Sequence, residues 1–182
     1  VVAELGPELG DELRVLDGGD CAVGIESTIV DCSRGRAVLL RPGVLTRRAI
    51  EAALGQPLED CDAAAPRASG TLRAHYQPRA TVRLMAPNVL KSALQMLASV
   101  PADGLAQKPV VPLAVYSRLA VPRGSVMCQQ AMPARADAAA HELFAVLRRF
   151  DDQGAHLIWV EEPPPDPEWD GVRDRLRRAC AA

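Results

Sequence analysis

The stretch ARADAAAHELFAVLRRFDDQGAHLIWV, residues 134–160, decides the class of fold. It predicts a helix from about Ala134, with Ala140, Phe144 and Leu147 on one stripe. Asp137 near the start and Arg148 and Arg149 at the end complement the helix dipole. Gly154 then breaks the period, and Ala155-His156-Leu157-Ile158-Trp159-Val160 follows as a mostly apolar run. An apolar strand fed by an amphipathic helix is the repeating unit of a parallel sheet covered on both faces.

The same alternation extends outward. Thr81-Val82-Arg83-Leu84 reads as a short strand, and Asn88 as the cap of a helix carrying Leu90, Leu94 and Leu97, ended by Pro101. Val110 to Tyr116 and Ser125 to Gln129 read as further strands. Asp166-Pro167 opens a last helix with Trp169, Val172, Leu176 and Cys180 facing inward. The first third reads as strand-like. Runs 25–31 and 36–41 form a hairpin around Cys32-Ser33-Arg34-Gly35, and Pro42-Gly43 stops the second strand. Thr46 caps a short helix through Leu54, with Ile50 and Leu54 on one face and Gly55 just past its end. Residues 56–79 lack a hydrophobic period and are punctuated by Gln56-Pro57, Pro66, Ser69-Gly70 and Gln77-Pro78, as a linker would be.

Composition narrows the class. At 182 residues the chain fits one domain or two small ones, and 48% hydrophobic content supplies a sizeable core. A net charge of −2 removes the case for a strongly basic nucleic-acid binder. Aromatic content of 3% argues against base-stacking platforms. No apolar run approaches a membrane span, so no membrane role is expected. No signal peptide is readable, and the missing initiator Met points to a processed chain or an excised piece. Cys21, Cys32, Cys61, Cys128 and Cys180 are scattered without a C-x-x-C, which fits a reducing cytoplasm.

Common catalytic signatures are absent. There is no G-x-G-x-x-G and no phosphate-binding G-x-x-x-x-G-K-[ST]. His141-Glu142 is not followed by a second His, since position 145 is Ala145, and Ser27 does not sit in G-x-S-x-G. No catalytic residue and no metal ligand is therefore assigned. What remains is Gly24-Ile25-Glu26-Ser27-Thr28-Ile29-Val30-Asp31, with Arg41 fourteen residues after Ser27. Strand alternation would place Ser27 and Ile29 on one face and Glu26, Thr28 and Val30 on the other. A hairpin bringing a hydroxyl and a guanidinium to one surface would suit a phosphate. An edge hairpin with a solvated Arg is the plainer reading of the same residues. In Ser69-Gly70-Thr71-Leu72-Arg73-Ala74-His75-Tyr76-Gln77-Pro78, a His-Tyr pair sits in a Gly/Pro-framed segment. That segment suits either a closing loop or an ordinary linker.

Together these motifs resemble the two-domain L-threonylcarbamoyl-AMP synthases. The matching residues are Gly24 to Asp31, Leu40-Arg41-Pro42-Gly43, and Ala65-Pro66-Arg67-Ala68-Ser69-Gly70-Thr71-Leu72 running into His75-Tyr76-Gln77-Pro78. The resemblance implies an α/β protein in three parts. Residues 1–57 would be the tail of a YrdC-like twisted-sheet catalytic domain, and 58–79 an interdomain linker or lid. Residues 80–182 would form a small Rossmann-like domain with a mainly parallel sheet flanked by helices. It further implies a nucleotidyltransferase of tRNA modification, located in the cytoplasm. Such enzymes convert L-threonine, bicarbonate and ATP, with Mg2+, into L-threonylcarbamoyladenylate and pyrophosphate, for N6-threonylcarbamoyladenosine at tRNA position 37. By motif, Ser27 would contact L-threonine, Arg41 the ATP, and His75 and Tyr76 the ATP or the intermediate. The family's linker usually ends His-Tyr-Ala-Pro where this chain has Gln77. The front part of the YrdC-like domain, with its Lys/Arg cluster, is absent, so the chain alone is expected to have little activity. The competing reading is a non-catalytic α/β binding or interaction module. Binding of tRNA through Arg47, Arg48, Arg73 and Arg79, or of tRNA-modification proteins, ranks after both.

Overall fold

A computed structural model describes residues 1–19, 21–70, 78–99, 112–122 and 126–181, the side chains of residues 3 and 4 excepted. The chain opens not on a strand but on helix α1 (Val2–Leu9), followed by a 3-10 turn at Gly10–Glu12. Antiparallel strands β1 (Ile29–Asp31) and β2 (Val38–Arg41) form the expected hairpin. Helix α2 (Arg47–Leu54) has its expected cap: the Thr46 hydroxyl accepts from the Ala49 N–H at 3.2 Å, and Gly55 closes the far end. None of its residues is buried, so the apolar face carrying Ile50 and Leu54 packs only weakly. Strand β3 (Glu59–Asp60) lies in the stretch read as linker and pairs in parallel with β2. Side chains hold it there. Arg47 binds the Leu58 carbonyl and Asp60, and Glu51 accepts from the Leu58 N–H at 2.9 Å.

The remainder follows the alternation. Strand β4 (Thr81–Met85) leads into α3 (Pro87–Ser99), then β5 (Leu113–Ser117), β6 (Cys128–Ala131), α4 (Ala136–Asp152) and β7 (Leu157–Glu161). A 3-10 turn at Pro167–Trp169 starts the last helix, α5 (Asp170–Ala179). Helix α3 begins at Pro87, so Asn88 is its second residue rather than its cap. Proline supplies a ready helical φ and lacks the N–H that a first turn cannot satisfy. Val110, Val111 and Pro101 lie outside the described residues.

The four strands form one parallel sheet in the order β4-β7-β5-β6, with Thr81 and Leu113 both opposite Leu157. Period-2 alternation splits its faces. Val82, Ala114, Tyr116, Ile158 and Val160 pack under α4 and α5, while Leu113 and Val115 pack under Leu90 and Leu94 of α3. On α4 the buried row is Ala136, Ala139, Ala140, Leu143, Val146, Leu147 and Phe150. Phe144, expected on that stripe, is only partly buried because Leu143 occupies the centre of the face. Fully buried side chains such as Leu143 and Ile158 each contribute about 2 kcal/mol of transfer free energy.

Candidate functional site

Strand β1 begins two residues after Ser27 and carries a bulge between Ile29 and Val30. The alternation expected across 25–31 therefore does not reach Ser27. Ile25 is buried and Ser27 exposed. Arg41, opposite Ile29, folds its guanidinium back over the start of β1. Its Nε and Nη2 donate to the Ser27 carbonyl at 3.1 and 3.0 Å, and its Nη1 donates to the Ser69 carbonyl at 2.8 Å. The structure thus brings Ser27, Arg41 and the linker together, with Arg41 buried rather than solvated. Three of the five guanidinium N–H donors are engaged in these bonds. His75 and Tyr76, like Arg73, lie outside the described residues.

The segment around Ser27 is clamped against α4 and α5 by two glycines of the quoted motifs, Gly24 and Gly43, and by two residues outside those motifs, Gly171 and Arg175. Gly24 has φ +76°, and a Cβ there would stand 2.2 Å from the Cα of His141. Gly43 and Gly171 form a second close approach: a Cβ on Gly171 would lie 2.7 Å from the Gly43 carbonyl oxygen. Arg175, 1% exposed, reaches through this contact. Its Nε pairs with Glu26 Oε2 at 2.9 Å, its Nη1 donates to the Pro42 carbonyl at 2.8 Å, and its Nη2 to the Glu26 carbonyl at 3.2 Å. A signal was present. Arg175 lies three residues after Val172 and four before Ala179, both buried, so helical spacing already turned it inward.

A cavity of about 500 Å³ opens beside this clamp, between Ile25, Gly43 and Val44 in front and Arg135, Asp137 and Trp169 behind. Gly43 packs directly on the Ser27–Thr28 peptide, so the cavity adjoins the expected threonine contact. The Arg135 guanidinium, with help from the Ala138 N–H, pushes the Asp137 carboxyl down to about 2. Asp137 is therefore a fixed anion at any ordinary pH. Among the described residues, no group of three or more His, Cys, Asp or Glu is arranged to hold a metal ion. Two of the arginines considered for tRNA are engaged: Arg47 with Asp60, and Arg79 with Asp151 and Asp152.

At the other end of the hairpin, Asp31 accepts from the Ser33 hydroxyl at 2.7 Å and the Ser33 N–H at 2.9 Å, and from Arg34 at 3.0 Å. The two Ser33 bonds, then Arg34, hold its carboxyl below the ordinary value. Asp62 is held down by Arg34 first and Arg36 second. A depressed folded-state value stabilises the fold above the unfolded carboxylate pKa of about 4, and that stabilisation is lost as pH falls through the folded value. The hairpin should therefore loosen on acidification. Ser33→Ala, which keeps the backbone N–H bond, should move the Asp31 titration upward in a carboxyl NMR experiment; an unmoved Asp31 would show that the Ser33 hydroxyl is not a cause.

This geometry has relatives. The chain is 26% identical over 173 residues to the threonylcarbamoyl-AMP synthase of Bacillus subtilis (strain 168), covering 91% of this chain and 48% of that protein. It is 28% identical over 177 residues to the Pyrococcus abyssi (strain GE5 / Orsay) threonylcarbamoyl-AMP synthase, again covering 91% and 48%. The chain thus spans about half the length of the curated relatives it matches. Among solved structures, P. abyssi Sua5 complexed with L-threonine superposes with a TM-score of 0.76 at 23% identity, covering 98% of this chain and 53% of the other. A P. abyssi Sua5 variant with an adjacent His and Tyr replaced by Ala gives 0.68 at 26% identity, covering 90% and 47%. The family model described as "Threonylcarbamoyl-AMP synthase, C-terminal domain" matches residues 45–181, and the chain belongs to that family.

Proposed function

We propose that this chain is the C-terminal portion of an enzyme that joins L-threonine, bicarbonate and ATP into L-threonylcarbamoyladenylate, releasing pyrophosphate. On this reading it is a nucleotidyltransferase of tRNA N6-threonylcarbamoyladenosine formation, working in the cytoplasm. The observation that carries the reading is the Arg41 clasp. One buried guanidinium ties the Ser27 carbonyl to the Ser69 carbonyl of the linker that continues to His75-Tyr76. Its two remaining N–H donors would face the nucleotide phosphates as a fixed, permanently charged fork. Ser27, with its side chain exposed beside them, would contact L-threonine. The solved neighbour that holds L-threonine supports this substrate class. The other neighbour was altered at an adjacent His and Tyr, and an adjacent His-Tyr pair stands in this chain as His75-Tyr76. Magnesium would arrive bound to the ATP phosphates. The residues supply positioning and charge neutralisation for in-line attack at phosphorus, with pyrophosphate leaving.

The front half also exposes apolar residues that a single layer leaves uncovered, including Leu16 at 98% and Leu45 at 62%. On this reading residues 1–57 are the tail of a YrdC-like domain whose other part would cover such residues. Residues 58–79 then serve as the linker or lid, and 80–182 as the Rossmann-like domain.

The test joins this chain to the front half of a curated relative and measures pyrophosphate release from L-threonine, bicarbonate and ATP. The isolated chain should stay at background. In the fusion, Ser27→Ala and Arg41→Ala should each lower turnover at least about tenfold, the loss expected when one charge-assisted contact of about 1.5–3 kcal/mol is removed. An active fusion indifferent to both changes would overturn the roles given to Ser27 and Arg41, and a folded fusion without pyrophosphate release would favour the binding-module reading.

A further inference from the structure

The parallel sheet holds a second cavity that the proposed chemistry does not use. Strands β4 and β7 are neighbours, yet the helices that follow them part to opposite faces: α3 covers one side and α5 the other. Where outgoing connections diverge, a crevice opens at the carboxyl ends of the strands, the usual place for a ligand in an open α/β sheet. A cavity of about 650 Å³ lies there, within the size range of small-molecule sites.

Each wall comes from a different strand end. Pro87 starts α3 after β4, Arg118 follows β5, and Glu162 with the Pro163–Pro165 run follows β7. Arg173 and Arg177 project from successive turns of α5. Three arginines thus line the cavity beside Glu162, with Arg118 paired to Glu161, Arg173 to Asp170, and Arg177 to no described carboxylate. Their placement is built in. Glu161, 2% exposed at the end of β7, accepts from the Ser117 hydroxyl and the Arg118 N–H, both at 2.7 Å. It also pairs with Arg118 Nη2, which pins that side chain at the rim. Arg173 is braced by the Pro164 and Asp166 carbonyls and by Asp170. The Arg177 side chain is exposed and makes no hydrogen bond or ion pair with another described residue.

From this arrangement we propose that the C-terminal domain carries its own site for a small phosphate ester, of mononucleotide size. Guanidinium forks from Arg118, Arg173 and Arg177 receive the phosphate, and the proline wall offers an apolar surface to the rest of the ligand. The site is separate from the Ser27–Arg41 hairpin and does not depend on its assignment.

The test titrates AMP into the isotopically labelled 182-residue chain and follows amide and arginine Nε signals. Saturating shifts are expected at residues 118, 162 and 173–177, with a dissociation constant of about 1 mM or tighter. Arg177→Glu should weaken that response at least about tenfold while the rest of the spectrum stays folded. Arg118→Gln, which keeps a neutral donor, should weaken it less. Any response at residues 27 and 41 reports the hairpin, so the two sites are read independently. A crevice response unchanged by Arg177→Glu would overturn the proposal, as would no saturation at residues 118 and 173–177.

Discussion

Gly24→Ala is expected to unseat the front segment from α4 and to lower stability by about 3 kcal/mol, the sum of left-handed strain and overpacking. Two effects act together. Alanine carries a steric cost at φ +76°, and its methyl would meet the His141 backbone at 2.2 Å and the Ala140 carbonyl oxygen at 2.6 Å. Both are atoms of the α4 backbone, which cannot rotate away as a side-chain tip would. The segment has to move. Gly35→Ala separates the two effects, because Gly35 has φ +72° with nothing within 4 Å of where the new methyl would stand. It should cost only about 1 kcal/mol, the conformational share alone. Urea denaturation measures both, and hydrogen exchange should locate the Gly24→Ala loss at Ile25 and Glu26. Equal costs for the two variants would show that the close approach to α4 is not made in solution.

Arg175→Met is expected to cost a similar amount, about 3 kcal/mol, near the lower end for breaking a buried ion pair. Methionine fills much of the same volume but removes the bonds to Glu26 and to the Pro42 and Glu26 carbonyls. Those carbonyls then sit in a buried contact without that donor. The lower end applies because the Glu26 side chain is 36% exposed and regains water when the pair breaks. Arg175→Lys should recover less than half, since one ammonium cannot span a carboxylate and two carbonyls held in fork geometry. The amide of Ser27 should shift in both variants. A fully stable Arg175→Met would mean that the clamp contributes packing alone.

These two predictions mark how far the candidate site was legible in sequence. The distance from Ser27 to Arg41 along a hairpin was readable, and the two do meet. Their mode of meeting was not. Because β1 starts at Ile29 with a bulge, Arg41 reaches the Ser27 carbonyl rather than sharing a strand face with its hydroxyl. Arg175 was readable as an inward arginine, but its partner Glu26 lies 149 residues away. The same limit applies to β3. Glu59 and Asp60 have no strand-like pattern, and they pair with β2 because Arg36, Arg47 and Glu51 tie this segment to its neighbours.

Most elements of the parallel sheet and its helices, and most of their buried faces, were written in the sequence alone. Period 3.6 in α4 and α5, the apolar runs of β5 and β7, the Thr46 cap and the stop at Pro42-Gly43 are local properties. Each was set by residues within a few positions of one another. They required a parallel sheet covered on both sides. Only the tertiary structure decided that β7 enters between β4 and β5, and that Gly24, Gly43 and Gly171 let the hairpin lie against the helices. It alone placed three arginines around one strand-end crevice. The physical reason is that periodicity records which face of an element avoids water, whereas the identity of the covering surface depends on ångström-scale fit between residues far apart in the chain.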